Sequence, residues 1–142
     1  MHIFVLNSKS MQEDLIKEGG FSYIEKGEGR PIIILHGLMG GLSNFQGVFE
    51  YFPSKKYKVI IPELPVESTP ILKTNVATFS KFVKDFIDFK NLKDVILLGN
   101  SLGGHVSLLF TRDFPELVSG LIITGSSGLY EKSMMGDGYP KR

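Results

Sequence analysis

Four stretches of this chain have an unbroken apolar centre: "PIIILHG" (31–37), "YKVIIPEL" (57–64), "KDVILLGN" (93–100) and "SGLIITG" (119–125). Each is short, rich in β-branched residues or leucine, and bounded by glycine, proline or asparagine, which marks strands rather than helices. A strand with one wet face must alternate apolar with polar residues. These runs do not alternate, so they are expected to be buried on both faces, the habit of a parallel sheet. Parallel neighbours need crossovers long enough to carry a helix, and helical patterns fill the gaps. In "SNFQGVFEYF", Phe45, Val48, Phe49 and Phe52 fall at i, i+3, i+4 and i+7, with Ser43 or Asn44 as the cap. In "NVATFSKFVKDFIDFK", Phe79, Phe82, Val83, Phe86 and Ile87 make one face and Lys81, Lys84, Asp85 and Asp88 the other, behind Asn75 as N-cap. A third pattern, Leu102, Val106, Leu109 and Phe110, runs to Pro115, which ends it. Strand and helix thus alternate from residue 31 to residue 125, which predicts an α/β fold with a mostly parallel sheet and helices on both faces. "FSYIEKGEG" (21–29) does alternate and reads as an edge strand ending in a turn.

What this fold does is bounded first by exclusion. The 142 residues suffice for one domain with a real core. Sixteen basic and fifteen acidic residues leave a charge of +1, too balanced to form the footprint of a nucleic-acid partner or an anionic membrane. With no cysteine and three scattered histidines, the sequence offers no disulfide framework and no metal-ligand spacing. No phosphate-binding glycine motif follows a strand, so a nucleotide site is not expected. No apolar run approaches the ~18 residues of a membrane span. The opening "MHIFVLNSKSM" lacks a basic leader and a small-residue cleavage site, and we read it as part of the folded protein. The expected location is cytoplasmic, and no cofactor is expected.

The third apolar run continues as "LLGNSLGGH" (97–105). We read Val95 to Leu98 as a buried strand, Gly99 as the start of a turn, Ser101 as its apex, and Gly103 and Gly104 as the opening of a helix. Gly99-Asn100-Ser101-Leu102-Gly103 fits Gly-x-Ser-x-Gly, in which serine takes a strained backbone and the glycines let strand and helix pass closely. The bare pattern would arise in about one of six or seven shuffled copies of this composition. Its place between an apolar strand and a helical pattern is therefore the stronger signal. A serine there projects beyond the carboxyl end of the sheet, where open α/β sheets bind ligands. The glycine-rich "HGLMGGLSNF" (36–45) follows the first apolar run. A simple strand-ending turn explains His36-Gly37 alone. Beside a serine elbow, such a loop can also aim a backbone N–H at an oxyanion, worth about 2.7–4 kcal/mol per donor.

At these residues the sequence resembles the α/β-hydrolase fold, in particular its capped esterase, lipase and carbon–carbon hydrolase branch. The matching stretches are "IIILHGLMGG", "KVIIPELP" and "VILLGNSLGGHVSLLFTRDFPELVSGLIITG", and the likeness runs from about Phe21 to Gly125. The resemblance implies Ser101 as nucleophile and the backbone N–H groups of Leu38 and Leu102 as oxyanion hole. His36 and Gly37 would shape the oxyanion loop, and Gly99 and Gly103 would support the elbow. It also implies a small-molecule acyl substrate. Two departures stand out. Where the family shows Asp-x-x-Gly-x-Gly, this chain has Glu63-Leu64-Pro65-Val66-Glu67-Ser68, so that loop has its own shape. The second departure is an incomplete triad. The family supplies acid and histidine after the serine, but the histidines here are His2, His36 and His105, and none follows residue 105. His105, four residues after Ser101, is read as a packed or partly solvated helix residue.

Family members are close to double this length. We therefore expect residues 1–142 to be the amino-terminal part of one such domain, with its core at about 21–125 and residues 126–142 starting a cap or loop. On that expectation the cap and carboxy-terminal strands lie outside these residues, and the sheet is cut off after the strand that follows the nucleophile helix. The chain ends "YPKR", which a trypsin-like protease would cut after; a native stop codon after Arg142 would refute the fragment reading. A half-sheet leaves its last strand open, and the missing half or a second copy is expected to cover that edge. Such a piece alone is expected to be inactive. Three functions stay open: an ester hydrolase working through an acyl-enzyme, a carbon–carbon hydrolase of ring-cleavage products, or a non-catalytic binding module lacking the histidine. The elbow serves the first two equally.

Overall fold

The structure is a computed structural model, and it describes residues 15–36, 45–65 and 75–125. Its strands are β1 (Ile16–Glu18), β2 (Phe21–Lys26), β3 (Arg30–Leu35), β4 (Tyr57–Pro62), β5 (Val95–Asn100) and β6 (Val118–Thr124). They form one six-stranded sheet in the order β1-β2-β4-β3-β5-β6. The four apolar runs are β3 to β6, and every pairing among them is parallel. Helices α1 (Gln46–Tyr51), α2 (Val76–Lys90) and α3 (Leu102–Asp113) are the crossovers.

The absence of alternation in the runs has a direct structural cause. Successive side chains of a strand point to opposite faces, and both faces are covered. Ile33, Leu35, Ile60, Val95 and Leu97 face one cluster with Phe79, Val83, Phe86 and Ile87 of α2 and Val106 and Phe110 of α3. Ile32, Ile34, Val59 and Ile61 face a second cluster with Phe45 and Phe49 at α1. Phe79, Phe86 and Phe110 are wholly buried, each contributing on the order of 1.5–3 kcal/mol by leaving water. The outer face of α2 carries the (i, i+4) pairs Lys81–Asp85 and Lys84–Asp88, each worth only about 0.3–0.5 kcal/mol. Asn75 caps α2, its Oδ1 accepting from the Thr78 amide at 2.8 Å. Asp113 is the last residue of α3, and Pro115 opens a short 3₁₀ turn instead.

Four expectations are corrected. The stretch 21–29 is not an edge, because β2 lies between β1 and β4, antiparallel to both. Among the described residues the end strand on that side is three-residue β1, too short for any periodicity to announce it. The strand before the serine runs through Gly99 and Asn100, and the reversal is made at Ser101 alone. Among the described residues the last apolar run is not buried on both faces: β6 stands last in the strand order, and its Ile122 is 47% exposed. Finally, Phe45 occupies the cap position of α1 without a side-chain hydrogen bond; Ser43 and Asn44 lie outside the described residues. Among the described residues, no helix is long and apolar enough to cross a membrane.

Candidate active site

The strand β5 ends at Asn100 and α3 begins at Leu102, so one residue reverses the chain at the carboxyl end of the parallel strands. That residue, Ser101, has φ 53° and ψ −120°. A non-glycine residue is rarely found there, and holding it costs on the order of 1–3 kcal/mol unless its surroundings impose it. Here they do. The Ser101 carbonyl accepts from the Gly104 amide at 3.0 Å and the His105 amide at 3.3 Å, closing the first turn of α3. The Ser101 amide donates to the Thr124 carbonyl on β6 at 3.1 Å. Serine at a helix N-cap usually turns its oxygen back onto a first-turn amide. Ser101 makes no such bond, and the residue is exposed. Its hydroxyl is thus not used to cap the helix.

The two motif glycines explain how strand and helix come this close. A Cβ on Gly99 would lie 2.5 Å from both the Gly103 carbonyl oxygen and Ser107 Oγ, and 2.6 Å from Gly104 Cα. A Cβ on Gly103 would strike the Leu35 carbonyl and stand 3.0 Å from the His36 amide nitrogen. The start of α3 therefore rests on the end of β3, where the glycine-rich loop departs. Behind the elbow, the buried Ser107 hydroxyl donates to the Gly103 carbonyl at 2.7 Å.

The expected residues fall as follows. Ser101, Leu102, Gly99 and Gly103 gather at the β5–α3 junction, with Leu102 opening the helix, where an amide has no acceptor within the helix itself. His36 is buried directly after β3, and its backbone abuts Gly103. Gly37 and Leu38 lie outside the described residues, as do the loop from Val66 on and His2. His105 is half-buried on α3. Among the described residues, no group of acidic and histidine side chains could hold a metal ion. Two contributors were not legible beforehand. Ser107 carries a weak signal, one turn after Gly103 on the same helix face. Thr124 carries none, because only the β5–β6 register sets it opposite Asn100.

Known proteins share this fold. A crystal structure of MGS-MChE2, described as an alpha/beta hydrolase enzyme from the metagenome of sediments from the lagoon of Mar Chica, Morocco, is 66% identical with a TM-score of 0.78. The match covers 82% of this chain and 53% of that one. A marine microorganism esterase is 28% identical with a TM-score of 0.65, over 72% of this chain and 40% of that one. In sequence, the 2-hydroxy-6-oxo-6-phenylhexa-2,4-dienoate hydrolase of Comamonas testosteroni is 31% identical over 118 residues, 75% of this chain and 40% of that protein. The chain spans 31–40% of the length of such curated relatives. Residues 30–141, most of the chain, match the family described as the alpha/beta hydrolase fold, and the chain belongs to that family.

Proposed function

We propose that this chain carries the nucleophile and part of the oxyanion site of a serine hydrolase acting on an ester or related acyl substrate. The observation that supports this most is the backbone of Ser101: an exposed serine at φ 53°, directly before the first amide of a helix. In this reading Ser101 Oγ attacks the substrate carbonyl carbon while a base takes its proton. The oxyanion so formed lies against the Leu102 and Leu38 amides. The tetrahedral species collapses to an acyl-enzyme as the alcohol leaves with the proton, and water releases the acid by the same steps. In this reading none of His2, His36 and His105 is the base, which the full-length protein supplies with its orienting carboxylate.

The test is labelling of the full-length protein with a fluorophosphonate, which phosphonylates an activated serine. One adduct at Ser101, lost in Ser101→Ala, is the expected result. No adduct, or one that survives the substitution, refutes the reading and favours a non-catalytic module.

The 31% identity to the Comamonas testosteroni dienoate hydrolase favours a second reading, carbon–carbon cleavage of a ring-cleavage product. Turnover of a 2-hydroxy-6-oxo-dienoate against a p-nitrophenyl ester by the full-length protein decides between them.

A further inference from the structure

Resting on the reading of Ser101 as nucleophile, we propose that Asn100 and Thr124 form a clamp that positions it. Position 100 is one of the motif's free places, and the mechanics of the elbow make no demand on it. Its neighbours in space do. Asn100 lies opposite Thr124 in the β5–β6 register. Its Nδ2 donates to the Thr124 carbonyl at 3.1 Å and to Thr124 Oγ1 at 3.0 Å. A carbonyl can only accept, so the amide nitrogen, not its oxygen, faces β6. The same Thr124 carbonyl takes the Ser101 amide at 3.1 Å. Two consecutive residues thus fill both lone pairs of one oxygen.

The place of that oxygen matters. Thr124 is the last residue of β6, and Gly125, at φ 53°, already lies outside the strand. A carbonyl at a strand end is free to tilt unless something holds it. Ser101 could shed its strain by rotating the peptide between residues 100 and 101, and that rotation breaks the Ser101–Thr124 bond. Asn100 opposes it by fixing the acceptor from the side. Asn100 is half-buried and Thr124 exposed. Water replaces the energy of a bond at such a place, so the clamp adds little net stability. Water does not replace its direction. The clamp therefore acts on the aim of Ser101 through the backbone, and Asn100 and Thr124 are positioning residues that need not touch substrate.

The test uses the full-length protein and three readouts: the rate constant of fluorophosphonate labelling at Ser101, kcat and KM on p-nitrophenyl acetate, and the melting temperature. Asn100→Ala is expected to slow labelling and kcat about tenfold as the serine loses its aim. Its KM should hold within about twofold, and its melting temperature within about 3 °C. Asn100→Asp, which cannot donate, should lose at least as much. Thr124→Val keeps the carbonyl and should lose about two- to threefold, whereas Thr124→Ser should restore the parent rate. Labelling of Asn100→Ala at the parent rate overturns the clamp, as does a lowered melting temperature with unchanged kcat, the mark of a merely structural contact. If Asn100→Ala fails to fold, the Thr124→Val and Thr124→Ser pair decides alone, equal rates overturning the clamp. Absence of a Ser101 adduct in the unsubstituted protein overturns the nucleophile reading, and the clamp with it.

Discussion

Replacing Gly103 by alanine should destabilise the protein, although alanine is the better helix former. Gly103 lies in the first turn of α3. On propensity alone the change would gain up to about 1 kcal/mol. Against this stands the new methyl, which meets the Leu35 carbonyl, with the His36 nitrogen 3.0 Å away. Both obstacles are backbone, so no rotamer relieves them. The helix must lift off β3, loosening Val106 and Phe110 from the cluster they share with Leu35 and Leu97. Overpacking of this kind costs about 3 kcal/mol where the neighbour cannot move, leaving a net loss of about 2 kcal/mol. Gly47 of α1 is the control, since nothing lies within 4 Å of a Cβ built there. Gly47→Ala should be neutral or stabilise by up to about 1 kcal/mol. Urea titration of both variants and the parent measures the pair. Opposite signs are expected, with a melting difference of about 5–10 °C between the two variants. A neutral or stabilising Gly103→Ala would refute the argument that close approach to β3, rather than helix chemistry, dictates this glycine.

Two further perturbations probe the scaffold. Asn75→Ala removes the oxygen that caps α2 and should lower stability by about 1 kcal/mol in urea titration, while Asn75→Ser should recover most of it. Above pH 10 the protein should lose stability through Tyr23 and Lys90. Burial, then its bond to Glu18, pushes the Tyr23 phenol above its ordinary 10.0, against the pull of Lys90. Burial alone would lower Lys90, but the Glu25 carboxylate at 2.8 Å and the Tyr23 hydroxyl hold it above 10.5. Folding favours the protonated form of both groups. Their contribution is therefore whole below those ordinary values and is lost as pH rises through the raised ones. Urea midpoints between pH 9 and 12 should fall less steeply in Tyr23→Phe/Lys90→Met than in the parent; equal slopes would refute the linkage.

The layers were legible in the chain because side-chain periodicity is a local property. The run Ile32-Ile33-Ile34-Leu35 has no polar partner at period two, and the structure sends alternate members to two separate clusters. The Asn75 cap and the three- and four-residue spacing of the α2 phenylalanines are likewise local. The need for glycine at 99 is local as well, since a Cβ there would meet Gly103, Gly104 and Ser107 of the same strand-to-helix turn.

Pairing was another matter. Nothing in "FSYIEK" tells an edge strand from an inner one, because that depends on whether Ile16–Glu18 finds it. Nothing in "SGLIITG" says that Ile122 faces outward, because that depends on which helices reach its side of the sheet. At the candidate site the sequence by itself determined a serine on a tight strand-to-helix turn. Tertiary structure alone decided what holds that turn: the Leu35 carbonyl under Gly103 and the Thr124 carbonyl beside Ser101. Those oxygens belong to the backbone, which every residue carries alike, and strands far apart in the chain bring them to Ser101 only through the register of the folded sheet.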